Sequence, residues 1–261
     1  MIKVFEQSNA VAHSGAYVVV GAVFLVLTKT KKVTWVIFCG ILFAPFLVER
    51  LFVAPITLTR EPMYLWGAIH WVYCYIAYGA ACFFYSGWRK REGCRIILKP
   101  SRQEVKWLCV SVLMGIAVKR SFEIIAVYLF SNTIIHISTP MIYRELIFYF
   151  SDDSLLLGVG GFAMQYIYYI FEFALIAFMV DCAQKASVIF GWSQKIPWGG
   201  IFIALTWGLL HPFGIILPAL RGEAVYSIYT VLQCLTIGLA YLLPGNKPLY
   251  SFLVIMAWYW L

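Results

Sequence analysis

Between Leu155 and Val180 the chain runs for 26 residues with one charged side chain, Glu172. About 20 predominantly apolar residues suffice to cross a bilayer as an α-helix, and water offers such a run no reason to be so uniform. The pattern recurs at Val11–Leu27, Val33–Ala54, Met63–Tyr85, Val105–Phe130, Trp198–Leu217, Val225–Leu243 and Pro248–Leu261. Over the whole chain 62% of residues are hydrophobic and 12% are charged, where soluble domains carry about 25% charged residues. The expectation is an all-α, polytopic membrane protein of about eight transmembrane helices, folded as one domain over residues 1–261.

Charge orients these runs. A basic loop, Lys29 to Lys32, follows the first run, and six cations against one acid lie between Trp88 and Arg102. The excess of Lys and Arg in short loops marks the cytoplasmic face. Eight crossings then put both termini on the non-cytoplasmic side and Lys185, Lys195 and Lys247 inside. The net charge of +8 thus reads as an orientation signal, and nucleic acid is not an expected partner. Ile134–Phe150, broken by Pro140 and carrying Arg144 and Glu145, reads as an amphipathic segment that does not cross. No cleavable leader is expected, because the first apolar run is followed by lysines. The seven cysteines form no CxxC or other metal spacing and read as small packing residues.

Ionisable groups at membrane depth default to functional candidates. If the fifth run meets water near Asp181, Glu172 lies about 14 Å deep; His211 lies about 20 Å beyond Trp198. A hairpin with its turn at residues 190–195 brings the two side by side, and they are expected to meet within direct or one-water hydrogen-bonding reach without a catalytic zinc. Lys119, Arg120 and Glu123 form a second cluster. It reads either as an ion pair at i,i+3 or as the polar wall of a cavity. Glu49 and Arg50, near the end of their run, are expected to reach the interface. His70 and Cys182 are poor third ligands: one lies on an aromatic-rich helix, the other at a loop end.

Two short motifs carry a resemblance. The stretch Phe171-Glu172-Phe-Ala-Leu-Ile176-Ala is followed 39 residues after Glu172 by Trp207-Gly-Leu-Leu-His211-Pro. The segment Leu155–Leu261 resembles the CPBP family, the CAAX protease and bacteriocin-processing intramembrane proteins that include the Abi proteins. That family carries E-E-x-x-x-R-G, then F-x-x-x-H, then H-x-x-x-N in the last helix. Here Phe171 stands at the first glutamate, Ile176 at the arginine, Trp207 at the phenylalanine, and Met256 and Trp260 at the final pair. The resemblance implies a degenerate intramembrane protein, a pseudoprotease that binds or scaffolds a membrane protein or peptide, with Lys119, Arg120, Glu123 and Trp207 as binding candidates and no cofactor. One alternative is an active endopeptidase on CAAX or leader peptides, with Glu172 and His211 catalytic and zinc as a possible cofactor. A second alternative is a small-molecule carrier.

Overall fold

The computed structural model describes residues 31–57, 63–92, 100–129, 155–211 and 224–260. Among them all regular structure is helical. Helix α1, Lys31–Val48, widens into a π-helical segment at Glu49–Val53 and ends as Ala54–Thr57. Next come α2, Met63–Arg91, and α3, Arg102–Leu129. The 35-residue α4 follows, Leu155–Ile189. Helix α5, Trp198–Ile203, also passes into a π-helical segment, Ala204–Gly208. Helices α6, Ala224–Leu242, and α7, Pro248–Trp260, close the bundle. The expected run at Val11–Leu27 and the amphipathic segment at Ile134–Phe150 lie outside the described residues, as does the expected end of the sixth run beyond His211.

Among the described residues three helices are long and apolar enough to cross a membrane, fewer than the eight expected: Val33–Val53, Gly67–Arg91 and Gly158–Ile189. Trp198–Gly208, Ser227–Leu242 and Pro248–Tyr259 are apolar but shorter. Side chains such as Ile76, Phe83, Phe84, Leu113 and Leu205 point outward and are more than 60% exposed. Such an apolar exterior is abnormal in water and ordinary against acyl chains.

Helix α4 is the axis. From Leu175 to Ala177 and from Met179 to Gln184 every side chain is buried, and α1, α2, α5 and α7 pack around it. The surrounding helices bury only a stripe. On α1 it is Trp35, Phe38, Leu42, Phe46 and Glu49; on α2 it is His70, Cys74, Tyr78, Ala81, Tyr85 and Arg89. Steps of three and four along one helix face place these on a single seam. Where backbones must touch, the residue is glycine. A Cβ on Gly238 of α6 would lie 2.6 Å from the backbone nitrogen of Gly200 on α5, so any side chain there drives the two helices apart.

One correction to the sequence reading concerns where α4 stops. Asp181 was expected at the water boundary, yet the helix continues to Ile189 and Asp181 is fully buried. Its charge is compensated from α2. Arg89 Nε donates to Asp181 at 2.9 Å, Tyr85 donates at 2.6 Å, and Tyr241 of α6 donates to the other oxygen. Arg89 in turn lies 5.4 Å over the Trp35 ring. The first cation of the basic loop is therefore drawn into the bundle, and the acid goes with it. Lys185, expected in a loop, sits half-buried on the same helix.

The helix ends at this side are tied together. Helix α4 terminates in a six-to-one turn, Trp192 N–H to Ser187 O at 2.9 Å, with Gly191 at φ +82°. Helix α6 ends the same way, Asn246 N–H to Tyr241 O at 2.9 Å, with Gly245 at φ +112°. The buried Gln184 clasps the turn into α5, donating to Ile196 O and accepting from Gly199 N–H, each at 3.1 Å. Lys247, before α7, is bonded to Glu104 in the first turn of α3.

That last pair supplies a pH test. The hydrogen bond from Lys247 pulls the Glu104 carboxyl from 4.5 down to about 2, and Glu104 raises Lys247. A depressed carboxylate stabilises the fold above its unfolded pKa, and the contribution fades as pH falls through the folded one. Lys247→Met should therefore lower the melting temperature in detergent near neutral pH. The difference from the parent should shrink as pH falls from about 4.5 toward 2. Melting curves across that range check it; a constant offset contradicts the pairing.

Candidate functional site

Glu172 stands at the midpoint of α4, 17 residues from Leu155 and 17 from Ile189 (172 − 155 and 189 − 172). It is 4% exposed. Trp207 donates its indole N–H to Glu172 Oε1 at 2.9 Å, and the Tyr168 hydroxyl, one turn back, also bonds to it. Arg50 Nη2 approaches the same Oε1 at 3.7 Å.

Arg50 reaches that point because α1 changes its winding. Pro45 has no N–H to give to the Ile41 carbonyl, and its own carbonyl accepts the Tyr73 hydroxyl at 3.1 Å. Beyond it the backbone N–H of Ala54 bonds to Glu49 O, five residues back, and Pro55 again removes a donor. Glu49 continues the buried stripe three residues after Phe46, and Arg50 lies beside it at the start of the wider turn. Arg50 Nε lies 3.4 Å from Glu49 Oε2, Nη2 donates to Tyr168 Oη at 3.4 Å, and the guanidinium sits 5.2 Å from the Phe46 ring centre. The other partners of Glu49 come from α2: the Tyr78 hydroxyl donates to Oε2, and His70 Nε2 lies 3.1 Å from Oε1. The expectation that Glu49 and Arg50 reach the interface is thus corrected. Glu49 is 0% exposed, and the pair is the centre of the polar network rather than its edge.

The second π-helical segment carries Trp207. The Thr206 hydroxyl bonds back to Phe202 O at 2.7 Å, and helical hydrogen bonding resumes with His211 N–H to Trp207 O at 2.9 Å. The imidazole of His211 packs on the Trp207 indole with ring centres 4.6 Å apart. Glu172 and His211 are thus brought to the same region, linked through Trp207. The motif residue expected only to bind a ligand is the donor that joins them.

The Lys119 group is organised differently. Lys119 Nζ donates to the carbonyl of Trp258 at 3.1 Å, in the last turn of α7, where carbonyls lack intrahelical partners and a cation is favoured. Helix α7 stands between this lysine and the Glu172 region: Trp258 packs on Gly115 of α3, while Tyr259 packs on Tyr169 and Phe173 of α4. Arg120 is half-buried, and the Glu123 side chain lies outside the described ones. At two positions where the resemblance leads one to look for polar residues, Ile176 is in the core at 2% exposure, and the Phe171 ring packs on Tyr75 and over Gly79. Met256 is half-buried, and the side chain of Trp260 lies outside the described ones. Cys182 is no loop-end residue; it is fully buried, with Sγ 3.3 Å from Cys39 Sγ.

Chemically, this is a site of paired polar groups. Glu172 is surrounded by two neutral donors and a guanidinium, which compete with any metal ion for its oxygens. The sequence places Glu49 and Arg50 at the interface and gives His70 no role as a ligand, and nothing in it singles out Tyr78 or Tyr168; Arg50 and the two tyrosines enter the network through helix packing. The signal for the other two is the stripe itself, since Glu49 and His70 fall in step with the aromatic core positions of their helices. Comparison with known proteins adds no relative: no protein-family model, no curated protein and no solved structure matches this chain.

Trp207→Phe keeps the ring against His211 and removes the donor to Glu172. Leaving a buried carboxylate one partner short costs about 1–3 kcal/mol. Reversible unfolding of the variant in mixed detergent should register that loss; a stability equal to the parent's contradicts the hydrogen bond's role.

Proposed function

We propose that the chain is a multi-pass, CPBP-like membrane protein that holds a partner protein or peptide segment in the bilayer without hydrolysing it. Its eight crossings place the basic loops in the cytoplasm and both termini outside. The end of the bundle that gathers Arg89, Arg102, Lys195 and Lys247 is the cytoplasmic one. The Glu172 region is the anchor, presenting polar groups to a segment that enters beside α5.

The observation that carries this reading is the state of Glu172. A general base must have an oxygen free to take a proton from water, within about 2.6–3.2 Å. Glu172 already accepts from Trp207 and Tyr168 and faces Arg50. The neighbouring positions that the family uses for chemistry are apolar and packed, Ile176 in the core and Phe171 against Tyr75. Leu205, 63% exposed on the π-helical segment next to Trp207, marks the face where such a segment would lie.

The test uses the full chain in its own membranes. A photo-crosslinking residue in place of Leu205 should give a discrete protein adduct, and one in place of the outward-facing Ile76 should give lipid adducts only. In a chain stripped of its native cysteines, Glu92→Cys and Gln194→Cys should be labelled from the cytoplasmic side alone. Cleavage of a CAAX or leader peptide that is lost in Glu172→Gln would replace this reading with the endopeptidase.

A further inference from the structure

The network around Arg50 contains a group that the partner-binding reading does not use. His70 and Cys74 sit one turn apart on the buried stripe of α2, and Glu49 faces them from the π-helical segment of α1. One donor atom from each, a carboxylate oxygen, an imidazole nitrogen and the thiol sulfur, lies within 4.8 Å of the other two. Tetrahedral bonds of about 2.0–2.3 Å hold such ligand atoms about 3.3–3.7 Å apart, so the group needs little movement to close on an ion. His70 Nε2 and Glu49 Oε1 are already 3.1 Å apart.

The two oxygens of Glu49 are treated unequally. Oε2 takes the Tyr78 hydroxyl and faces Arg50. Oε1 is buried, and among the described residues no donor is aligned to hydrogen-bond it. A carboxylate with one oxygen fixed by a tyrosine and the other 3.1 Å from an imidazole, with a thiol in the same group, is the arrangement in which an outer hydrogen bond orients a metal ligand. A divalent ion bound with loss of the Cys74 proton to solvent adds one positive charge to a cluster that holds two carboxyl groups and one guanidinium.

We infer that Glu49, His70 and Cys74 form a binding site for one divalent transition-metal ion of the zinc class. Three protein ligands of mixed oxygen, nitrogen and sulfur character leave a fourth position for water. The site ties α1 to α2 directly beside Arg50, and it stands whether or not the Glu172 region holds a partner segment.

The experiment is titration of untagged full-length protein in nanodiscs with Co²⁺ alone, read by absorbance and by bound-metal analysis. One Co²⁺ per chain is expected, with a thiolate-to-metal charge-transfer band. Cys74→Ser should lose that band, and Cys39→Ser should keep it. His70→Ala should weaken binding by at least about tenfold, the loss that removal of even an outer partner brings. Cys74→Ser and His70→Ala keep the proposal falsifiable if Glu49→Gln fails to fold. Absence of saturable binding, or a band that survives in Cys74→Ser, overturns the site.

Discussion

A guanidinium shared by two carboxylates from different helices is the interaction on which this bundle's interior depends. Arg50 faces Glu49 on its own helix and Glu172 at the midpoint of α4, with Tyr168 between them. A lone charge buried in a low-dielectric interior costs several kcal/mol even after relaxation, so none of the three groups is tolerable without the others. Once they are together, the helices have little freedom: α1 must present its π-helical segment to α4, α2 must bring Tyr78 and His70 to Glu49, and α5 must bring Trp207 to Glu172.

The same logic operates nearer the basic end. Asp181 and Arg89, with Tyr85 and Tyr241, form a second buried pair joining α4 to α2 and α6. Its oxygens are all met by donors, which is what a structural clamp requires. The Arg50 network is different in kind. It sits at two π-helical segments, a winding that recurs at functional sites, and one carboxylate oxygen in it, 3.1 Å from His70, has no donor aligned to hydrogen-bond it among the described residues. One network therefore reads as fastening and the other as a site.

Much of the helical architecture was legible because apolar length is a one-dimensional property. The starts of α5, α6 and α7 fall within a residue of where the sequence places them, and the turns at Gly191 and Gly245 follow from glycine's access to positive φ. The end of α4 was misplaced because an aspartate was taken as a sign of water, whereas Arg89, more than 90 residues away in sequence, makes it a core residue. Glu172, Trp207 and His211 were findable, since ionisable and motif residues stand out in an apolar run. Glu49 continues the stripe three residues after Phe46, a signal outweighed by its place near the end of the run, whereas Arg50 lies off the stripe and reaches the interior only through the π-helical segment. His70 was set aside for its aromatic surroundings, which turn out to be the same seam that carries it to Glu49.

The account rests on Arg50 and Glu172 acting as one unit, and a double-mutant cycle measures that directly. Arg50→Met and Glu172→Leu should each destabilise the protein in mixed-detergent unfolding by about 3–5 kcal/mol, as breaking a buried pair does. The double variant should be less damaged than the sum of the two, by at least about 1 kcal/mol, a coupling within the range seen for residues in contact. Additivity within about 0.5 kcal/mol would mean that the two charges are satisfied independently, and would contradict a shared network at the centre of the bundle.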